Sequence, residues 1–229
     1  ICDASPDKRD VLPDGTGRNS KKECILPDVM LTSLKRINPA IEEDKIKEIV
    51  KTLRQDYTGT DIVDTNYKLY RQIRNNIKIT VRRNGKEDFD FVKLIDFEHP
   101  ENNTFTAVSQ MWIQGKVYYR RPDILIFING MPLVFIELKN SIVKIEEAYN
   151  KNLKDYMRDI PNLFAFNQIC VLSNGLETKL GAFNATYDYF FEWLKIDSEK
   201  ENLDREAISS AENVKDSSVR YFVDGLLKK

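Results

Sequence analysis

The sequence predicts an α/β sandwich in which helices flank a central mixed β-sheet. The first observation is the order of the predicted elements: a helix, three strands, a strand hairpin, a helix, a strand and a further helix. The second is a pair of continuous apolar runs, at 124–128 and 133–136, separated by Asn129-Gly130. Such runs are typical of strands covered on both faces, so we expect this hairpin at the centre of the sheet.

Helical spacing defines three segments. Within residues 31–57 the apolar positions Ile46, Ile49, Val50 and Leu53 recur at helical intervals. Asn38-Pro39 is interpreted as the start of that helix. A second helix is predicted at 144–157, and an aromatic-rich helix at 187–194.

Alternating or apolar segments predict the remaining strands, at 77–81, 89–97, 104–113 and 168–172. The first of them leads into a basic turn with the sequence Arg-Arg-Asn-Gly-Lys, whose Asn-Gly pair is a hairpin signal. His99, within Glu-His-Pro, is interpreted as an exposed loop residue.

At 229 residues the chain fits one ordinary domain, or one domain with a trailing segment. Residues 1–26 are interpreted as a polar N-terminal arm, 27–196 as the domain, 197–218 as a polar linker and 219–229 as the start of a further helix. Because the first residue is Ile1 and not methionine, we expect the chain to be a fragment.

The composition excludes several classes of protein. The formal net charge is -1, so any contact with nucleic acid must come from local basic patches. Cys2, Cys24 and Cys170 form no CxxC pair and His99 is the only histidine, which disfavours a disulfide framework, a zinc site and a histidine-based triad. No apolar run approaches the ~20 residues of a membrane span. We therefore expect a cytoplasmic protein with no membrane partner.

The candidate chemistry lies in Arg-Pro-Asp123, thirteen residues, then Glu137-Leu-Lys139. Side chains alternate along a strand, so Glu137 and Lys139 are expected on the same face. A two-residue turn at Asn129-Gly130 pairs Asp123 with the neighbour of Glu137, and a three-residue turn pairs it with Glu137 itself. Both registers bring the two carboxylates to within roughly 5 Å.

Two neighbouring carboxylates repel each other, and a divalent cation removes this repulsion. Oxygen ligands favour Mg²⁺, for which Mn²⁺ can substitute, and the ion would activate a water for attack on a phosphodiester. Lys139 would orient or deprotonate that water or stabilise the transition state. The alternative is a solvated Glu-Lys pair beside a chance aspartate. That alternative is favoured for the tripeptide alone, but the apolar strands around these charges favour a site.

The segment 120–140 resembles the nuclease core of the R subunits of type I restriction enzymes, within the PD-(D/E)XK superfamily. The resemblance runs from about Cys24 to Trp193 and implies a restriction-endonuclease-like αβ sandwich that hydrolyses double-stranded DNA. Its other matching positions are 33–39, 95–97, 102–105, Gln110, 160–164, 173–175 and Gly181.

Carried to this chain, the resemblance implies that Asp123, Glu137 and the carbonyl of Leu138 bind Mg²⁺, and that Lys139 completes the catalytic set. The family's Gln-x-x-x-Tyr motif, which supports the site, falls on two further residues. These are Asn152, one methylene shorter than glutamine, and Tyr156, for which a core aromatic role is the alternative.

The resemblance also implies partners. A specificity subunit and a modification subunit would complete the complex, and ATP would act only through motor domains following the helix at 219–229. No GxxxxGK[ST] motif occurs in the chain. Two other functions stay open: a free-standing nuclease of the same superfamily, and a non-catalytic DNA-binding or scaffolding module. The family's acidic residue on a first helix is not assigned.

Four arginines are candidates for DNA backbone contact. Arg120 and Arg121 are next to the proposed catalytic aspartate, and Arg82 and Arg83 belong to the basic turn, whose alternative role is a charged hairpin facing water.

Overall fold

The computed structural model describes residues 9–192. The helices are α1 (Pro27–Ile37), α2 (Glu43–Leu53), α3 (Ile62–Asn75), α4 (Ile145–Glu147) and α5 (Lys154–Asp159), with a π-helical turn (Ala148–Leu153) and 3₁₀ turns at Pro100–Asn102, Pro161–Ala165 and Tyr187–Tyr189. The strands are β1 (Ile77–Arg83), β2 (Lys86–Val92), β3 (Phe105–Ser109), β4 (Ile113–Gln114), β5 (Tyr119–Arg120), β6 (Ile124–Ile128), β7 (Met131–Leu138), β8 (Ile169–Ser173), β9 (Thr178–Gly181) and β10 (Phe191–Glu192).

The central sheet has six strands in the order β10-β9-β8-β7-β6-β3. The pairs β3/β6, β8/β9 and β9/β10 are antiparallel. Gln168 N donates to the carbonyl of Leu133 at 2.8 Å, and Lys139 N donates to that of Ser173 at 2.7 Å. Residue numbers on β7 and β8 rise together in these bonds, as in a parallel pair. The sheet is mixed and helices flank it, so the predicted fold class is confirmed.

The chain forms two compact units. Over the described residues, the first comprises 9–135 and Tyr156–Gln168, and the second comprises Ile136–Asp155 and 169–192. No helix in the described part of the chain is long and apolar enough to span a membrane.

In the first unit, the helical segment predicted at 31–57 consists of two helices. The prediction that Asn38 starts a helix is wrong, because Asn38 ends α1: its backbone N–H and its side-chain amide both donate to the carbonyl of Leu34, at 3.1 and 2.9 Å. The second helix, α2, begins at Glu43 and buries the four apolar side chains that the spacing indicated. Asparagine often caps the first turn of a helix, but Asn38 caps the last turn of α1.

Helix α3 was not anticipated from the sequence. Its signal is Asp61, whose side chain accepts hydrogen bonds from the backbone of Val63 and Asp64 and so caps the first turn. Only Leu69 and Ile73 are buried among its side chains, which leaves too few apolar positions for a clear helical periodicity.

Two predicted strands are shorter than expected. Strand β2 ends at Val92 and not at residue 97, because Lys93 N turns to donate to the side chain of Asn38 at 2.8 Å. The predicted strand at 104–113 is interrupted where Gln110 adopts a φ of 51°. Strand β3 therefore ends at Ser109.

Residues 9–26 form turns and bends around a buried ion cluster. The carboxylate of Asp14 accepts from Arg18 at 2.7 Å and from Lys21 at 2.6 Å, and all three side chains are at most 4% exposed. Arg18 also donates to the carbonyl of Trp112 at 3.0 Å, which attaches this segment to the rest of the unit. The division at residue 26 stays a prediction, and the predicted linker and final helix, 197–229, lie outside the described residues.

In the second unit, the helix predicted at 187–194 is wrong over the described residues. A 3₁₀ turn at Tyr187–Tyr189 is followed by β10, in which Phe191 pairs with Leu180 of β9. Phe190, directly before β10, is 4% exposed, and Phe191 is 56% exposed. The aromatic composition suggested a helix face, but the chain forms a strand here.

Candidate functional site

The proposed metal ligand Asp123 belongs to the first unit and directly precedes β6. Its carbonyl accepts from the backbone N–H of Gln110, the residue directly after β3, at 2.8 Å. Two residues earlier, the carbonyl of Arg121 accepts from the hydroxyl of Tyr156 at 3.3 Å. The backbone on both sides of Asp123 is therefore held by elements distant in sequence.

Strands β6 and β7 are joined by the two-residue turn Asn129-Gly130, with φ values of 49° and 81°. Positive φ at both positions defines a type I′ turn, whose twist suits a hairpin. Asn129 is completely buried, donates to the carbonyl of Leu94 at 2.9 Å and accepts from Thr104 N at 2.8 Å. A Cβ on Gly130 would lie 2.5 Å from the carbonyl oxygen of Leu26. Of the two turn lengths that the sequence allows, the protein adopts the shorter.

Glu137 and Lys139 belong to the second unit and lie at the end of β7. The Glu137 side chain is 3% exposed, and its Oε1 accepts from the Nζ of Lys139 at 2.9 Å. Leu138, between them, is 38% exposed, so the two charged side chains share one face of the strand as predicted.

Each unit offers oxygen donors of the type that a hard divalent cation binds. The second unit offers a buried carboxylate on Glu137 and a backbone carbonyl on the following residue, and the first unit offers a carboxylate on Asp123. Softer ligands are poorly suited: burial raises the pKa of Cys24 to about 12 and also raises the pKa of Cys170. Oxygen donors without accessible thiolates match the preference of Mg²⁺.

The two proposed supporting residues have different surroundings. Asn152 is half-buried in the π-helical turn of the second unit. Tyr156 is buried in the first unit, where its ring meets Phe135 edge-on at 5.5 Å while its hydroxyl bonds to Arg121. Tyr156 therefore makes the core aromatic contact that the alternative role predicts, and its hydroxyl has a hydrogen-bond partner. Helical spacing in this segment did not predict the π-helical turn.

The four arginines proposed to contact DNA differ in their contacts and exposure. Arg120 bonds to Asp159, and the Arg121 guanidinium lies 5.0 Å from the ring centroid of Trp112. Arg82 is exposed on β1. Arg83 is engaged by Asp88 at 2.8 Å and by Asp90 at 2.7 Å, which offsets its charge.

One cluster of metal-type ligands was missed from the sequence. Asp96, Glu98 and His99 bring ligand atoms within 4.8 Å of one another, and His99 is exposed as predicted. Hydrogen bonds from Asn102 and from the His99 backbone hold the pKa of Asp96 below its usual value. Lys93 lies 3.5 Å from Asp96 and 3.4 Å from Glu98 and supplies the compensating charge. The cluster lies in the segment between β2 and β3.

Comparisons with known proteins identify relatives over most of the chain. Residues 4–189 match the family described as "Type I restriction enzyme R protein N terminus (HSDR_N)". The putative type I restriction enzyme MjaIXP endonuclease subunit of Methanocaldococcus jannaschii is 34% identical over 83% of this chain and 18% of its own length. The type I restriction enzyme HindI endonuclease subunit of Haemophilus influenzae is 30% identical over 89% of this chain and 19% of its own length. The chain thus spans about a fifth of the length of these relatives.

Proposed function

Because this chain belongs to the family of type I restriction enzyme R protein N termini, we propose that it is the Mg²⁺-dependent endonuclease domain of such a subunit. Its reaction would be hydrolysis of phosphodiester bonds in double-stranded DNA. The relatives are named endonuclease subunits, which supports nuclease chemistry.

The observation that carries the proposal is the buried ion pair of Glu137 and Lys139, at 2.9 Å and 3% exposure of the carboxylate. Burying a charged group costs free energy that an ion pair offsets only in part, and such costs are typical of functional sites. The two-residue turn adds support, because it is one of the two turn lengths for which the sequence predicts neighbouring carboxylates.

In the proposed mechanism, the carboxylates of Asp123 and Glu137 and the carbonyl of Leu138 would hold Mg²⁺, with Mn²⁺ as a substitute. Mg²⁺ held there would lower the pKa of a bound water and neutralise charge at the scissile phosphate. Lys139 orients the attacking water and places its ammonium beside the charge that develops on the phosphate oxygens. Its bond to Glu137 fixes the position of that ammonium.

Other residues have supporting roles in this proposal. Tyr156 positions the Arg121 backbone before the catalytic aspartate, and Asn152 on the same helical segment would assist with DNA. Arg120, Arg121 and Arg82 would contact the DNA backbone. Arg83 would contribute less, because two aspartates already engage it.

The whole enzyme would assemble around this domain. We propose that modification and specificity subunits bind the R subunit, that ATP acts through motor domains in the remaining length of the relatives, and that the complex works in the cytoplasm. The length of the relatives favours this arrangement over a free-standing nuclease.

The test is DNA cleavage by the complete complex carrying Asp123→Asn, Glu137→Gln or Lys139→Ala in the full-length R subunit. Each variant should lose at least about 100-fold in cleavage rate while ATP hydrolysis is retained. Glu146→Gln, at an exposed carboxylate nearby in sequence, is the matched control and should cleave normally. Unchanged cleavage by all three variants would establish a non-catalytic module instead.

A further inference from the structure

Strands β1 and β2 form a two-stranded ribbon that is separate from the central sheet. Directly opposed residues of an antiparallel pair have their side chains on the same face, and successive pairs alternate between faces. One face of the ribbon therefore has six side chains, all of them exposed, in the cross-strand pairs Lys78/Phe91, Thr80/Phe89 and Arg82/Glu87. We call it the outer face.

Two phenylalanines are exposed on the outer face, although phenylalanine is among the side chains that folded proteins most often bury. Phe89 is 49% exposed and Phe91 is 58% exposed. They are two positions apart on β2, so their side chains leave the strand in the same direction, roughly 7 Å apart. Single exposed apolar side chains are ordinary, whereas adjacent ones indicate a contact surface.

The same alternation separates the charges of the ribbon. Asp88 and Asp90 belong to the opposite face, where Arg83 bonds to them at 2.8 and 2.7 Å. The outer face carries Lys78 and Arg82 against a single glutamate, so its net charge is positive. Neither of these two cations is in an ion pair with another described residue. A polyanion therefore complements the outer face.

Lys78 is held beside one of the two rings. Its Nζ lies 3.6 Å from the centroid of the Phe89 ring, in a cation–π contact across the strand pair. The ring carries no net charge, so it orders the ammonium without neutralising it. The outer face thus combines exposed rings with an ordered cation next to them.

We propose that the outer face binds unpaired, single-stranded DNA, with bases stacked on Phe89 and Phe91 and phosphates contacting Lys78 and Arg82. Aromatic rings on a sheet face suit unpaired bases of any sequence, and neighbouring cations suit the phosphates between them. In a duplex the neighbouring base pairs cover the base faces, so the rings favour a single strand. The inference rests on the proposed function for the choice of DNA as the nucleic acid, and it involves none of the proposed catalytic residues.

Two substitutions of one side chain separate stacking from apolar contact. Phe91→Leu keeps an apolar side chain and removes the ring, whereas Phe91→Trp keeps a ring and adds a fluorescent reporter at the contact. Because Phe91 is exposed, both variants should fold normally. Phe105→Leu, at a phenylalanine of β3 that is 59% exposed, is the matched control.

The experiment titrates the full-length R subunit with oligodeoxythymidylate, and separately with duplex DNA of the same length, without divalent cation. Phe89→Leu and Phe91→Leu should each weaken single-strand binding at least about fivefold, and Phe105→Leu should not change it. Phe91→Trp should retain the affinity, and its fluorescence should be quenched by the single strand and not by the duplex. Lys78→Gln should reduce the salt slope by about 0.7.

Unchanged single-strand affinity in both leucine variants of β2, or equal quenching of Phe91→Trp by duplex and single strand, would overturn the inference. Tighter binding of oligouridylate than of oligodeoxythymidylate would overturn it in favour of RNA. Cleavage by the complete complex reports on the proposed function separately, because the binding experiment contains no divalent cation.

Discussion

The Nζ of Lys139 lies 2.9 Å from the Oε1 of Glu137, a carboxylate whose side chain is only 3% exposed. Two residues apart on one strand, they combine a buried anion with a cation that is 22% exposed. This arrangement links the stability of β7 to the proposed chemistry, because each group compensates the charge of the other.

Replacing Lys139 should therefore destabilise the protein. Lys139→Met removes the ammonium from a buried carboxylate, and we expect a loss on the order of 3 kcal/mol in the free energy of unfolding. The double variant Glu137→Gln/Lys139→Met should be more stable than Lys139→Met alone, since no charge is left buried. Urea denaturation of the 229-residue chain measures both. Equal stabilities would show that the pair does not contribute through charge.

The buried cluster around Asp14 should make stability depend on pH. Burial alone would raise the pKa of Asp14, but hydrogen bonds from Lys21 and Thr16 and the charge of Arg18 outweigh it, so the pKa is lowered. A lowered folded-state pKa contributes stability that is present above the unfolded value of ~3.9 and is lost as the pH falls through the folded value.

Asp14→Asn should accordingly lower the free energy of unfolding at pH 7 by about 3 kcal/mol. The difference from the unmodified chain should shrink below about pH 4. Thermal unfolding across a pH series measures this, with Asp44→Asn, at a side chain 94% exposed, as the control. A difference that is constant with pH would contradict the role of the Asp14 charge.

The turn between β6 and β7 should not tolerate a side chain at its second position. Gly130→Ala combines a φ of 81° with a Cβ 2.5 Å from the Leu26 carbonyl oxygen, and should cost at least about 3 kcal/mol. Gly85→Ala is a matched control, because Gly85 ends another Asn-Gly turn with a φ of 76° but has open space around it. It should cost only about 1 kcal/mol. Similar losses at both glycines would rule out the close approach as the cause.

The contributions of the Tyr156 hydroxyl and of its ring can be measured separately. Tyr156→Phe keeps the contact with Phe135 and removes the bond to the Arg121 carbonyl, which should cost about 1 kcal/mol of stability and reduce cleavage by less than tenfold. Tyr156→Ala removes the ring as well and should cost about 3–5 kcal/mol. Denaturation and cleavage are measured on the same preparations. A Tyr156→Phe variant as stable and as active as the unmodified chain would exclude a positioning role for the hydroxyl.

The sequence predicted the central sheet because its signals there are strong. The apolar runs of β6 and β7, the Asn129-Gly130 turn and the alternation of Glu137 with Lys139 are all local patterns. The features that the sequence did not predict depend on contacts between residues far apart in the chain. Strand β2 ends where Lys93 meets Asn38, a residue 55 positions away, and no local pattern records that bond.

The candidate site also combines features that local patterns predict with features that only the folded chain reveals. Its three central residues follow from spacing and family resemblance, and their grouping around one ion stays a prediction. The bond between Arg120 and Asp159 gave no signal in the sequence, since it forms only when the chain folds Arg120 against α5. The aromatic run after residue 186 misled because its composition resembles a helix face, while pairing with β9 decides its conformation.

Binding of Mn²⁺ to the full-length R subunit in the absence of ATP, followed by electron paramagnetic resonance, tests the central claim most directly. The unmodified subunit should bind the ion saturably, and Asp123→Asn and Glu137→Gln should each remove that binding, whereas Glu146→Gln should retain it. If the Mn²⁺ signal survives the loss of both Asp123 and Glu137, these carboxylates do not form the metal site.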